Sequence, residues 1–332
     1  MKKLILLCCF SFVSSWILGC QENNETSIKN NETTNITPEK YVVMLDKGID
    51  VDWWRKGTVE ESRYNDKAIK DFYDSGIRNV RIRFQDYSMT EDNFEQLKHQ
   101  VKLCVNQGIV PIIAYAANGF NNNPTDSERK KVVEWWSAMA EHLCNASDSL
   151  SFDIIIEPSD AIKKNDEQLN QCYEECVAAI RKSNPTRIIF IAPNHIANPS
   201  YLNDLKIPSR ADGYLMIEWH FYAAGPSKTN ASKLWTTGTN AEKKLVTQKI
   251  DSALTWLKAN GLYSWVGAWM AGNYNKEDEY TVEEQQVFAN FIRASLEKNK
   301  IPFSINADKH FYDYSTNTWK EEMIPLRNTI FE

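Results

Sequence analysis

The sequence predicts an α/β fold, a single (β/α)8 TIM barrel, from three observations. Short apolar runs alternate with amphipathic stretches from residue 41 to the C-terminus. Eight such runs recur at intervals of roughly 25 to 50 residues, the rhythm of a parallel strand–helix repeat. No glycine-rich phosphate turn follows the first run or appears elsewhere, which argues against the rival open, doubly wound sheet.

In chain order, the runs that read as buried strands are YVVML with KGIDV (41–51), NVRIRF (79–84), VPIIAYA (110–116) and SFDIIIE (151–157). RIIFIAP (187–193), GYLMIEWHF (213–221), YSWVGAW (263–269) and PFSIN (302–306) complete the set. Between them lie the helical patterns DKAIKDFYDSG, NFEQLKHQVKLCVNQG, RKKVVEWWSAMAEHLC, DEQLNQCYEECVAAIRKS, KKLVTQKIDSALTWLKANG and VEEQQVFANFIRASLEKN. Several stop at Gly or Asn, the residues that tolerate the left-handed turn closing a helix. Trp135 and Trp136 fall inside a helical pattern and read as packing. Cys172 and Cys176, four apart, share a helix face. With no nearby His or third Cys to complete a ligand set, they read as two small buried hydrophobes rather than a metal pair.

Composition narrows the function classes. With 42% apolar and 25% charged residues in 332, the chain can bury a sizeable core. A net charge of -6 and the lack of a basic stripe set nucleic acid aside as a partner. The 11 Trp and 14 Tyr lean toward carbohydrate, because the apolar face of a sugar ring lies flat on an indole. Nothing in the sequence calls for a metal or an organic cofactor.

The first twenty residues have the layout of an export signal: Lys2 and Lys3, an apolar run from Leu4 to Leu18, then Gly19-Cys20. That run is too short and wrongly flanked for a stable membrane span. Ile17-Leu18-Gly19-Cys20 resembles the lipobox of bacterial lipoproteins, which implies acylation at Cys20 and a membrane-anchored protein in the periplasm or on the cell surface. The alternative is an ordinary secretory signal cleaved nearby. Residues 21–40 are polar and poor in large apolar groups, so a flexible tether is expected there, followed by the barrel over 41–332. Three N-x-T sequons fall in the tether, at Asn24, Asn31 and Asn35.

A barrel of this kind works at the C-terminal ends of its strands. Those ends carry Asp50 and Asp52 with Trp53-Trp54, Arg81 and Arg83, Tyr115 with Asn118, Glu157-Pro158 with Asp160, and Asn194-His195. Glu218, His220 and Tyr222, then Ala268-Trp269, then Asn306 with Asp308 complete the ring. Carboxylates, arginines, histidines and aromatics in one ring suit a ligand with many hydroxyls. They also supply carboxylates whose pKa values can be pushed apart, which glycoside cleavage requires.

On these residues the body, from about 41 to 325, resembles glycoside hydrolase family 5, the cellulase family. NVRIRF is similar to that family's second strand, whose arginine matches Arg81. SFDIIIEP resembles its fourth-strand motif, where the glutamate before proline is the acid/base and matches Glu157. EWHFYAAGP resembles the sixth-strand His-x-Tyr, matching His220 and Tyr222, and WVGAWMAGN the seventh strand, whose Gly-Glu carries the nucleophile. Three positions depart from the pattern: Ile156 replaces the asparagine before the acid/base, Tyr115-Ala116-Ala117 lacks the third-strand histidine, and Ala268 stands where the nucleophile belongs.

A retaining reaction needs a second carboxylate about 5–5.5 Å from the first, and an alanine methyl cannot serve. Period-two alternation puts Glu218 on the same face as His220, toward the pore, with Trp219 opposite. The reading is therefore an exported glycoside hydrolase acting on a polysaccharide or oligosaccharide such as a β-glucan, mannan or xylan. Glu157 is its general acid and Glu218 its nucleophile or base, with Asp160, Asp50 and Asp52 in reserve. Arg81, Asn118, His195, His220, Tyr222, Trp269, Asp50 and Asn306 are the expected substrate contacts. The alternative is an inactive carbohydrate-binding barrel that kept its groove and lost its chemistry. Read as structural residues, Glu157 would pair with Arg81 or Arg83, and Glu218 with an arginine or His195. An unrelated chemistry finds no support, since no nucleophile elbow, zinc motif or phosphate loop is present.

Overall fold

The computed structural model describes residues 35–55, 64–86, 88–221, 233–272 and 280–332. Cys20 and Tyr222 lie outside the described residues. Eight strands close into one barrel in chain order. They are β1 Lys47–Trp54, β2 Asn79–Phe84, β3 Val110–Tyr115, β4 Ser151–Asp153, β5 Ile189–Ile191, β6 Leu215–His220, β7 Tyr263–Ala268 and β8 Phe303–Ile305. Every pairing is parallel, and β1 joins β8 through Lys47 opposite Phe303. The expected (β/α)8 barrel is the observed fold. Its strands are apolar on consecutive residues because helices cover their outer face while the pore side is packed.

Helices Asp66–Asp74, Glu91–Gln107, Asp126–His142, Asp166–Ile180, Asn240–Asn260 and Val282–Lys298 follow the predicted patterns. Their ends are set locally. Thr90, Thr239 and Thr281 each close a reciprocal capping box, satisfying donors that a helix start leaves unpaired. Gly108 (φ 85°) and Gly261 (φ 63°) take the left-handed turn that ends two of the helices. Cys172 and Cys176 are buried, with their sulfurs 3.9 Å apart.

The first run is corrected. YVVML is a helix, Pro38–Leu45, and only the KGIDV part is strand. Thr37 caps it and Pro38 opens it, while Tyr41 and Leu45, one turn apart, are buried together. These two pack with Val110, Ile112, Phe190, Met216 and Trp265 and plug the bottom of the barrel. The Tyr41 hydroxyl donates to the Ser149 carbonyl at 2.7 Å. This helix straddles the boundary expected between tether and barrel at residue 40.

Most of the tryptophans belong to the layer between sheet and helices. Trp53 and Trp54 are both fully buried, their indole N–H groups donating to Tyr314 Oη (3.0 Å) and Gln100 Oε1 (2.7 Å), so neither faces the mouth. Trp136 donates to the Ile154 carbonyl, and Trp135 stacks on Tyr115. Trp269 is corrected too. It has no exposed surface and sits edge-on against Phe288 and Phe303, at 5.8 and 5.6 Å between ring centres, so it is core and offers no platform to a sugar.

Candidate active site

Above the apolar plug the pore turns ionic. Alternation along the strands points Asp50 and Asp52 of β1, Arg81 and Arg83 of β2, Asp153 of β4, and Glu218 and His220 of β6 inward. Register brings Asp50 directly beside Arg81. The Arg81 guanidinium is the hub. Its Nε and Nη2 fork onto Asp50 at 2.8 and 2.7 Å, and its Nη1 donates to Glu218 Oε1 at 2.6 Å and Asp153 Oδ2 at 3.3 Å. The planar fork suits this, since buried charges persist only when paired and hydrogen-bonded. Burial alone would weaken the guanidinium's hold on its proton, but Asp50 and Glu218 reverse that and raise its pKa well above the ordinary value.

Glu218 Oε1 accepts a second bond, from His220 Nε2 at 2.5 Å, and His220 Nδ1 lies 3.1 Å from Glu157 Oε1. An unbroken chain thus runs Arg81–Glu218–His220–Glu157 up the pore. Its lower members have no exposed side-chain surface to speak of, while the Glu157 side chain is 36% exposed. Burial would lower the His220 pKa, yet the flanking Glu218 and Glu157 outweigh it and raise it to about 9. At neutral pH the ring is therefore an imidazolium, hydrogen-bonded to Glu218 and paired by charge with Glu157. The stability this charge contributes is fully present below the ordinary imidazole pKa of about 6.5 and lost as pH climbs through the raised value. We expect unfolding free energy to fall between pH 7 and 10, with His220→Gln flattening that limb. An unchanged limb in the variant, followed by urea titration, would assign it elsewhere.

Gly267 of β7 makes this arrangement possible. A Cβ there would lie 1.9 Å from Glu218 Oε1, so only glycine lets the Glu218 carboxylate rest against β7. Nearer the rim, Arg83 donates to Asn306 Oδ1 at 3.0 Å and Asp50 Oδ2 at 3.4 Å, and pairs closely with Asp52. Asp52 also receives Arg55 at 3.2 Å. Asp308, buried below Tyr314, accepts its hydroxyl at 2.5 Å, and burial with the nearby Asp52 charge pushes its carboxyl up to about 6.

Several expected contacts change role. Glu218, expected as nucleophile or base, has no accessible surface and is clamped between Arg81 and His220. Arg81, Asp50 and His220, expected to touch substrate, are equally buried and act beneath the mouth. The proposed pairing of Glu157 with Arg81 or Arg83 gives way to its contact with His220, because both arginines are engaged by the other carboxylates. Asn118 is exposed at the rim, its backbone N–H held by Asp86 at 2.9 Å. Asn306 and His195 are half-buried there. His195 opens a turn of three left-handed residues with Ile196 and Ala197 (φ 57°, 63° and 52°), and its ring stacks on Tyr201 at 3.8 Å. That costly backbone is held by the Ile196 N–H donating to the Pro158 carbonyl at 2.8 Å, which ties it to the Glu157 loop. Asp160, itself at φ 53°, is exposed and accepts the Ser159 hydroxyl.

Two participants escaped the sequence reading. Asp153 is a lone charge inside the apolar run SFDIIIE, four residues before Glu157, and that isolation was the available signal. Gly267 carried none, since its importance lies in what a neighbouring strand places against it.

Barrel and mouth together define a (β/α)8 protein whose working end is a carboxylate-rich C-terminal face. The sequence pattern of Cellulase (glycosyl hydrolase family 5) matches residues 32–308, most of the chain, and the protein belongs to that family. Among curated relatives, Endoglucanase H of Acetivibrio thermocellus is 25% identical over 267 residues, 76% of this chain and 29% of its own length. Endoglucanase C of the same organism is 25% identical over 176 residues, covering 47% of this chain and half of its own. The chain thus spans half or less of these relatives. Among solved structures, a hyperthermophilic endo-β-1,4-glucanase in complex with substrate superposes with a TM-score of 0.76 at 22% identity, covering 89% of this chain and all of the other, which speaks to the fold.

Proposed function

We propose that the protein cleaves a β-glycan at the barrel mouth, with Glu157 as the carboxyl that meets the glycosidic oxygen. The observation that carries this reading is the buried Arg81–Glu218–His220 chain ending on Glu157, its one member with substantial exposure. Taking such charges out of water costs several kcal/mol each before pairing. Simple sugar binding needs no such foundation, whereas a reacting carboxyl needs a fixed position and a controlled proton. Glu218 holds His220, and His220 holds Glu157. Asn118, His195 and Asn306 sit where a polymer crossing the mouth would meet them. Family membership and the endoglucanase relatives support a β-linked polysaccharide as the ligand.

Ala268, on this reading, occupies the family's nucleophile position, which is fully buried beside Gly267. Loss of such a group costs on the order of 10⁴ in rate, so slow turnover is expected. The burial of Glu218 favours a second reading, a barrel that binds glycan without cutting it. The apolar run ending at Gly19-Cys20 supports export and acylation at Cys20, which would hold the barrel at a membrane surface. Among the described residues no helix is long and apolar enough to cross a membrane.

The test is incubation of the protein with β-glucans, mannans and xylans, with chromatography of the products. Oligosaccharide release that depends on Glu157 supports the first reading. Binding to one polymer without any release supports the second.

A further inference from the structure

Beneath Glu157 the pore holds three carboxyl groups, Asp50, Asp153 and Glu218, against two buried cations, Arg81 and His220, all with 1% exposure or less. Arg83 also reaches Asp50, at 3.4 Å, so the hydrogen bonds rather than the charge count single out one of the three. Asp50 takes the Arg81 fork through two bonds, and Glu218 Oε1 takes bonds from both Arg81 and His220, so these two carboxyls hold the short contacts to the cations. Asp153 has a single long contact, 3.3 Å, to the same Arg81 Nη1 that Glu218 holds at 2.6 Å. Asp153 Oδ1 and Glu218 Oε2 are both buried without a hydrogen-bond partner. Two orphaned acceptors on carboxyls that share Arg81 Nη1 cost free energy, and a proton on Asp153 turns one of those acceptors into a donor.

We propose that Asp153 is a neutral carboxylic acid that donates to Glu218 and serves as a positioning residue for the Glu218–His220–Glu157 chain. The proton comes from solvent on folding, the new O–H is on Asp153, and no other bond changes. Burial first, and then the Glu218 carboxylate, push the Asp153 carboxyl well above the usual range. The charged or titratable groups around it are Arg81 from β2, Asp50 from β1, and Glu218 and His220 from β6. The strands on either side place Ala114 and Phe190 in register with it, and the Tyr173 hydroxyl behind is committed to the Ala192 carbonyl. An extra negative charge there would compete with Glu218 for Arg81 and loosen its grip on His220.

Infrared spectroscopy of the resting protein at pH 8 tests this, because the carbonyl stretch of a protonated carboxyl is separate from that of a carboxylate. A protonated-carboxyl band is expected, moved by carbon-13 labelling of aspartate and not of glutamate. It should survive Asp308→Asn, which removes the other buried carboxyl raised toward neutrality, and vanish in Asp153→Asn. That amide mimics the neutral acid, so the His220 titration midpoint followed by NMR should move by less than about half a unit. Absence of the band, its shift with glutamate labelling, or a drop of a unit or more in the His220 midpoint overturns the proposal. The inference deepens the reading of Glu157 as the reacting group, yet its readout needs no substrate. A band without glycan cleavage leaves it standing, and cleavage without the band removes it alone.

Discussion

Replacing Glu157 with glutamine is expected to abolish release of oligosaccharides while leaving the barrel folded. The substitution keeps the size of the side chain at the exposed end of the pore chain and removes the proton that the proposed function has it move to or from the sugar oxygen. General acid–base groups contribute about 10²–10⁴-fold in rate, so the variant should fall by that factor on whichever polymer the parent cleaves. Its affinity for that polymer, measured by binding calorimetry, should change far less. Because the Glu157 side chain is partly exposed and contacts His220 from above, its loss leaves no buried cation without a partner: His220 keeps Glu218. Equal cleavage by parent and variant would remove Glu157 from the chemistry and take the proposed function with it.

The largest loss of stability is expected from Arg81→Met. The thioether fills much of the space but withdraws both short bonds from Asp50, leaving it Arg83 at 3.4 Å, and takes the donor from Asp153 and from one side of Glu218. Breaking a buried pair by removing one partner costs about 3–5 kcal/mol, because the survivor stays buried and unbalanced. Here one cation leaves and three carboxyls lose it together, so the upper end of that range is the expectation from urea unfolding. Arg83→Met is the comparison. Its guanidinium sits nearer the rim with partners at Asn306, Asp50 and Asp52, and water can reach some of what it leaves. A smaller loss is expected there. If Arg81→Met unfolds within about 1 kcal/mol of the parent, the hub is not what holds the upper pore together.

The two changes separate function from foundation. The Glu157 variant should lose turnover and keep stability, and the Arg81 variant should lose stability first. The inverse pattern would point to Glu157 as a structural pin and to Arg81 as a group near the sugar.

The barrel was legible in the sequence because strand–helix alternation is written locally. Buried strands need apolar runs, covering helices need an amphipathic period, and Thr90, Thr239, Gly108 and Gly261 mark helix ends through bonds to residues three or four away. The same local logic placed Glu218 and His220 on one face of the sixth strand and Glu157 after the fourth, whose ladder ends at Asp153 rather than running to 157 as expected. YVVML misled for the same reason in reverse. Its apolar run suits a strand, and only the Thr37 cap, Pro38 and the demand for a plug under Trp265 make it a helix.

What the sequence could not carry is depth. Period two tells which face a side chain takes, and says nothing of how far below the rim it ends. Strand register, the shift between Trp219 and His220, and the missing side chain of Gly267 set that depth, and each depends on a neighbouring strand distant in sequence. So the tertiary structure alone decided that Glu218, Asp50 and Arg81 lie beneath the mouth, that Trp269 faces Phe288 and Phe303, and that Asp153 belongs to the ionic chain. The sequence by itself determined the barrel and its working end, and put Glu157 among the carboxyls there. Packing decided which of the surrounding charges can touch a ligand, because access to water is a property of the whole enclosure and of no single strand.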